Sequence, residues 1–80
     1  MVGYTNMESM EKPHSEQYAY NASDMVEYVG KAYVGTGTGS AGWQIFKLVY
    51  TGTNVTGKIW ASGNDAFDKV WNDRATYSYS

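Results

Sequence analysis

The sequence predicts a small, mainly β domain: a small antiparallel sheet, arranged as a β-sandwich or an open barrel, with one short helix and a polar N-terminal arm. Three observations predict it. From Met25 onward the chain is rich in β-branched and aromatic residues, with apolar side chains recurring at every second position. Two such runs are joined by Thr51-Gly52-Thr53-Asn54, a polar, glycine-containing link of hairpin length. Before Met25, the only member of the Val, Ile, Leu, Phe and Trp set is Val2, so residues 1–24 cannot build a core.

The elements follow in order. In the arm, Pro13 interrupts any helix that MESMEK begins. A polar terminus of this kind is either a disordered tail or an arm lying on a neighbouring subunit, and the second reading uses Met7, Met10, Tyr18 and Tyr20 as contacts. DMVEYVGKAYV sets Val26, Tyr28, Gly30, Ala32 and Val34 on one side and Glu27 and Lys31 on the other, which is a half-buried strand. WQIFKLVY, residues 43–50, is apolar on both faces apart from Gln44 and Lys47, so a strand here is covered by its own core on one side and by a partner on the other. NVTGKIWAS places Val55, Gly57, Ile59 and Ala61 together and turns Trp60 away with the polar residues. A hairpin joining 43–51 to 55–62 results.

After Gly63, Asn64 has the character of a helix N-cap, with Asp65 and Asp68 in the first turn. Phe67, Val70, Trp71 and Arg74 fall at helical spacing, which predicts a helix of two or three turns laying Phe67, Val70 and Trp71 on the sheet. The ending ATYSYS alternates apolar with hydroxyl residues and returns to strand. The domain division is therefore 1–24 as arm and 25–80 as sheet domain.

Length and composition bound the function. A chain of 80 residues buries only about 60% of the surface exposed by its unfolded form, so a small domain usually needs disulfides, a metal or a partner subunit. With no cysteine, oligomerisation leads. The net charge of −2 is too small to attract nucleic acid or an acidic substrate at long range. Its distribution is uneven: residues 1–24 hold four acids against one lysine, a sum of −3, while 25–80 hold five bases against four acids, a sum of +1. The start has neither the basic residues nor the apolar run of a signal peptide, and no stretch reaches transmembrane length, so the chain reads as soluble and without an address label.

The candidate chemistries each meet a plainer explanation. VGTGTGSAGW contains Gly37-x-Gly39-x-x-Gly42, the letters of a dinucleotide-binding loop. Such a loop opens a helix whose N-terminal amides hold the pyrophosphate, whereas here WQIFKLVY follows with strand composition, so a flexible connection is the better reading. His14, the sole histidine, sits in a polar arm that is a poor scaffold for a held catalytic base and reads as solvated. Asp65, Asp68, Asn72 and Asp73 offer oxygens but lack calcium-loop spacing, and capping explains them. Asn21-Ala22-Ser23 and Asn54-Val55-Thr56 match the glycosylation acceptor pattern by chance in a chain without a secretory signal. No catalytic residue, metal site or cofactor is expected. The 16% of aromatic residues suit core and interface packing, with sugar stacking by Trp60 or Trp43 as the alternative. Base stacking needs a basic groove, which the scattered cations do not suggest.

From Trp43 onward the chain resembles short uncharacterised proteins of tailed bacteriophages and prophages. The residues that carry the resemblance are Trp43, Gln44 and Ile45, then Gly63, Asn64, Phe67, Asp68, Trp71, Arg74, Ala75 and Tyr79, in a W-Q-I start followed by G-N-x-x-F-D-x-x-W-x-x-R-A-x-x-x-Y. It covers about half the chain, reaches weakly back to YVGKAYVG and leaves out the arm. It implies phage origin and a virion context, assembled in the bacterial cytoplasm, and implies no activity. The function expected is therefore a non-enzymatic virion structural protein, as capsid decoration or a neck or tail accessory. It would pair with other virion proteins or with itself through Met7, Met10, Tyr18, Tyr20, Trp43, Phe46, Tyr50 and Trp60. A receptor- or carbohydrate-binding module and a small inhibitor of a host enzyme are the alternatives.

Overall fold

A computed structural model describes residues 13–80. Among the described residues there are five strands, β1 (His14–Tyr20), β2 (Val26–Tyr33), β3 (Ala41–Thr51), β4 (Asn54–Trp60) and β5 (Lys69–Val70), followed by a 3-10 helix, Trp71–Thr76. The first four lie in the spatial order β1-β2-β3-β4, all antiparallel, and β5 pairs with the start of β3. The antiparallel β class read from the sequence is what the chain adopts, with its one short helix.

The hairpin of β3 and β4 closes through Gly52 and Thr53, with Thr51 opposite Asn54. Gly52 has φ of 63°, and a positive φ at the first loop position suits the right-handed twist of the flanking strands. The β1–β2 turn is built by Asn21, whose Oδ1 accepts hydrogen bonds from the N–H groups of Ser23 at 2.8 Å and Met25 at 3.1 Å. That pair of bonds supports Asp24 at φ 62°, a conformation that Asp tolerates better than most residues.

Cross-strand register decides which side chains share a face. Gly30 lies opposite Ile45, and Tyr28 opposite Lys47, so Tyr28, Gly30, Ala32, Trp43 and Ile45 point to one side. This side is the core: Ala32, Trp43, Ile45, Ala61 and Trp71 are buried, with Ala19, Tyr28, Tyr77 and Tyr79 packed around them. Its second layer comes from the C-terminal segment. Trp71 lies over Gly30, and Tyr79 joins Ala61 in an isolated bridge, flanked by hydrogen bonds between Trp60 and Ser80 and from the Ser62 N–H to the Ser78 carbonyl. Two tyrosine hydroxyls lock that layer. Tyr77 accepts the Val70 N–H at 2.8 Å, and Tyr79 donates to the Arg74 carbonyl at 2.7 Å.

Burial holds the Tyr79 phenol well above its ordinary pKa of 10.0, with the neighbouring Tyr28 and Tyr77 adding to the shift. Its neutral form is therefore the folded form. The linked stability is complete below pH 10, where the phenol is protonated in both states, and falls as pH rises above 10, because only the unfolded chain then releases the proton. Urea midpoints measured between pH 8 and 11 should fall above pH 10, and Tyr79→Phe should flatten that fall while lowering stability at pH 8 by about 0.5–1.5 kcal/mol for the lost hydrogen bond.

Three expectations are corrected. Residues 14–20, expected in the arm, form β1 and belong to the sheet. An edge strand exposed along most of its length needs few apolar residues, which is why its composition resembles a tail; only residues 1–12, with Met7 and Met10, lie outside the described residues. The helix expected at 64–74 is also absent. Asn64 turns its Oδ1 to the Ala66 N–H at 3.1 Å and to Lys69 Nζ at 2.9 Å, a local turn with no helix behind it. Phe67 packs against Tyr33, on the face opposite Gly30 and Trp71, and a helix would have put Phe67 and Trp71 on one side. The helical turn comes later, at Trp71–Thr76, and is of 3-10 type. Trp43, expected as a contact residue, is the third correction: it is 1% exposed and belongs to the core.

Lys69 is the one buried charged residue in the described part, at 5% exposure, and its ammonium is held by Asn64 and by the Asp68 carboxylate. Removing a partner from a buried cation leaves an unmet donor. Asn64→Ala should therefore cost about 1–3 kcal/mol in chemical denaturation, more than the near-zero effect of a typical exposed asparagine.

Candidate functional site

The second face of the sheet carries the candidate site. Tyr18 lies opposite Val29, Val29 opposite Phe46, and Phe46 opposite Trp60, so one row of apolar side chains runs across all four main strands. Val29, at the middle, is 8% exposed, while Tyr18 at the edge is 51% exposed. Phe46 and Trp60 meet edge to face, with centroids 5.3 Å apart. Lys58 lies over both rings, 4.7 Å from Phe46 and 5.0 Å from Trp60. Each such contact at an exposed site is worth about 0.5–1 kcal/mol, enough to hold the rings in a set orientation.

Beside this row stands a second aromatic group. His14 stacks on Tyr33 at 4.6 Å, and Phe67 packs on Tyr33 at 5.8 Å and on His14 at 5.8 Å. His14, expected to be solvated, is thus half-buried in an aromatic stack, because β1 brings it opposite Tyr33. Tyr20 adds a further exposed ring at the far end of β1. Glu16 and Lys31 are paired across β1 and β2 on the same face, and the Glu16 carboxylate accepts a hydrogen bond from the Tyr18 hydroxyl. That bond is the main cause that raises the Tyr18 phenol above its ordinary pKa.

The sequence-derived contact residues divide accordingly. Tyr18, Tyr20, Phe46 and Trp60 lie on this face, and Trp43 lies under the other one. Tyr50 follows an irregularity in β3 and is used internally, its hydroxyl donating to the Val26 carbonyl at 2.5 Å. Three members carry little contact signal in the sequence: His14 and Phe67, whose local patterns suggest a solvated side chain and a helical core residue, and Tyr33, whose neighbours in space come from β1 and the segment before β5. Alternation within β2 does place Tyr33 with Lys31, away from the Tyr28–Gly30–Ala32 set, and that was the available signal.

The glycine-rich segment leads into β3, and its backbone is tied down at several points. The Gly37 carbonyl accepts from the Trp43 indole N–H at 2.9 Å and from the Ser40 N–H at 3.1 Å, and the Thr38 carbonyl accepts from the Asn72 N–H at 3.1 Å. Its carbonyls thus serve the core tryptophan and the start of the 3-10 helix. Among the described residues there is no pocket, no group of three or more His, Cys, Asp or Glu side chains placed to share a metal ion, and no helix long and apolar enough to cross a membrane. No family model matches the chain, and no curated protein or solved structure matches it.

Proposed function

We propose that the protein is a non-enzymatic building block of a phage particle, a capsid decoration or a neck or tail accessory, that docks through the open aromatic face of its sheet. The observation that carries this reading is the asymmetry between two apolar faces. One is covered by the chain's own C-terminal segment, and the other presents Tyr18, Phe46 and Trp60, exposed or half-buried, around the buried Val29, with the segment at Asp65 and Phe67 lying against only its Gln44 and Tyr33 side. Aromatic-rich, flat and pocket-free surfaces suit protein partners, whose interfaces are enriched in Tyr, Trp and Phe.

The phage context rests on the resemblance of the C-terminal half. In this fold its residues are mainly structural: Trp43, Ile45 and Trp71 fill the core, Asn64 holds Lys69, Arg74 lies 4.7 Å over the Trp71 ring, and Tyr79 closes the cap. Most of the pattern therefore describes how the core face is covered, while Phe67 belongs to the aromatic group beside the docking row. Sugar stacking is the weaker reading, because the Trp60 ring already packs against Phe46 and carries Lys58 5.0 Å from its centroid. Mass spectrometry of purified particles tests the proposal. Hundreds of copies fit capsid decoration, a few to tens fit the neck or tail, and none removes the structural role.

A further inference from the structure

The two edges of the sheet are treated differently. At β4 the end of the strand is closed by the C-terminus, with Trp60 and Ser80 exchanging hydrogen bonds of 2.9 and 3.1 Å. At β1 no strand pairs with the outer edge among the described residues. The Val34 N–H donates to the Pro13 carbonyl at 3.2 Å, and the Asn21 N–H to the Met25 carbonyl at 2.8 Å, so the odd-numbered residues of β1 direct their backbone groups inward to β2. By alternation, His14, Glu16, Tyr18 and Tyr20 direct theirs outward.

We propose that β1 pairs with β1 of a second copy, antiparallel about a two-fold axis through Gln17, joining two sheets into one. In that register Glu16 faces Tyr18 of the second copy and His14 faces Tyr20, so outward backbone groups meet outward backbone groups along the strand. The side chains fit as well. The carboxylate of Glu16 meets a tyrosine hydroxyl, the partner it already has within its own chain, and Tyr20 of the second copy extends the stack of His14, Tyr33 and Phe67. Sliding by one residue on each strand toward the N-terminus sets Glu16 against Glu16, a like-charge pair that opposes the register. Sliding the other way drops His14 from the ladder. β1 is polar in its first half and aromatic in its second, and antiparallel pairing about Gln17 matches each half to the other.

The pairing rests on the reading of the protein as a subunit that works through contacts, but it uses the β1 edge and leaves Phe46 and Trp60, on β3 and β4, open on both copies. Its test in solution is separate from particle copy number. If particles contain the chain and the edge pairing fails, only this inference falls; if the chain is absent from particles yet pairs in solution, only the particle role falls.

The chain has no cysteine, so single cysteine variants read the register directly. Across the axis Gln17 faces itself as a non-hydrogen-bonded pair, with Cα atoms about 4.5 Å apart, a separation that a disulfide spans. Under mild oxidation Gln17→Cys should convert to a covalent species of twice the 8.9 kDa chain mass. Ser15→Cys and Ala19→Cys should each stay uncrosslinked alone and crosslink when mixed. Glu16→Pro removes an outward N–H without touching the ladder to β2, and should move the sedimenting mass from twice 8.9 kDa to 8.9 kDa with unchanged circular dichroism. A wild-type protein that sediments at the single-chain mass, a Gln17→Cys variant that does not crosslink, or a folded Glu16→Pro variant that stays at twice the mass overturns the pairing.

Discussion

Trp43→Ala is expected to remove about 3–5 kcal/mol of stability, the range for truncating a buried large aromatic. The residue is 1% exposed, its ring packs 6.1 Å from that of Trp71, and its indole N–H is bonded to the Gly37 carbonyl. Truncation opens a cavity under the sheet and releases the glycine-rich segment at once. A domain of this size has about 0.05–0.15 kcal/mol of stability per residue, so the loss is comparable with the whole. Near-UV circular dichroism and urea unfolding should show Trp43→Ala largely unfolded at 25 °C, while Trp60→Ala, half-buried on the open face, stays folded. Equal effects of the two substitutions would contradict the assignment of faces.

Gly30→Ala should destabilise by about 1–3 kcal/mol, the usual cost of overpacking a filled core. Propensity alone predicts the opposite sign, because glycine inside a strand is poorer than alanine by roughly 0.5–1 kcal/mol. Packing wins here. A Cβ at Gly30 would sit 2.5 and 2.7 Å from two ring carbons of Trp71 and 3.2 Å from one of Trp43, and both rings are buried in the core. The clash is specific to Trp71, so the double variant Gly30→Ala with Trp71→Leu should lose less stability than the sum of the single losses. Additive losses, or a gain in Gly30→Ala alone, would show that Trp71 does not lie over Gly30.

What the sequence made legible follows the strength of each local pattern. The β3–β4 hairpin was readable because two alternating runs flank a glycine link, and β2 because Tyr28, Gly30 and Ala32 alternate with Val29 and Lys31. β1 was not, since an edge strand that touches the core through Ala19 alone has no apolar period to display. The segment after Gly63 misled for a different reason. Asn64 makes a genuine side-chain turn, but Lys69 and the demand for Trp71 over Gly30 take the chain into a short strand before any helix extends. As for the site, WQIFKLVY revealed that both faces are apolar without saying which one is core. Trp43 and Phe46 are three residues apart in a strand and must leave on opposite sides, so they never could serve the same contact. His14, Tyr33 and Phe67 come from three separate segments, and no local pattern announces such a cluster.

The central claim is that one face folds the protein and the other docks it. Phe46→Ser combined with Trp60→Ser alters only the open face, away from the β1 edge, at positions where burial is partial. The direct measurement is the copy number of this double variant in purified particles, set against the wild type, with urea unfolding of the soluble variant measured alongside. The account predicts a variant that still folds cooperatively and is lost from particles by at least tenfold. A folded variant incorporated at the wild-type copy number would contradict it.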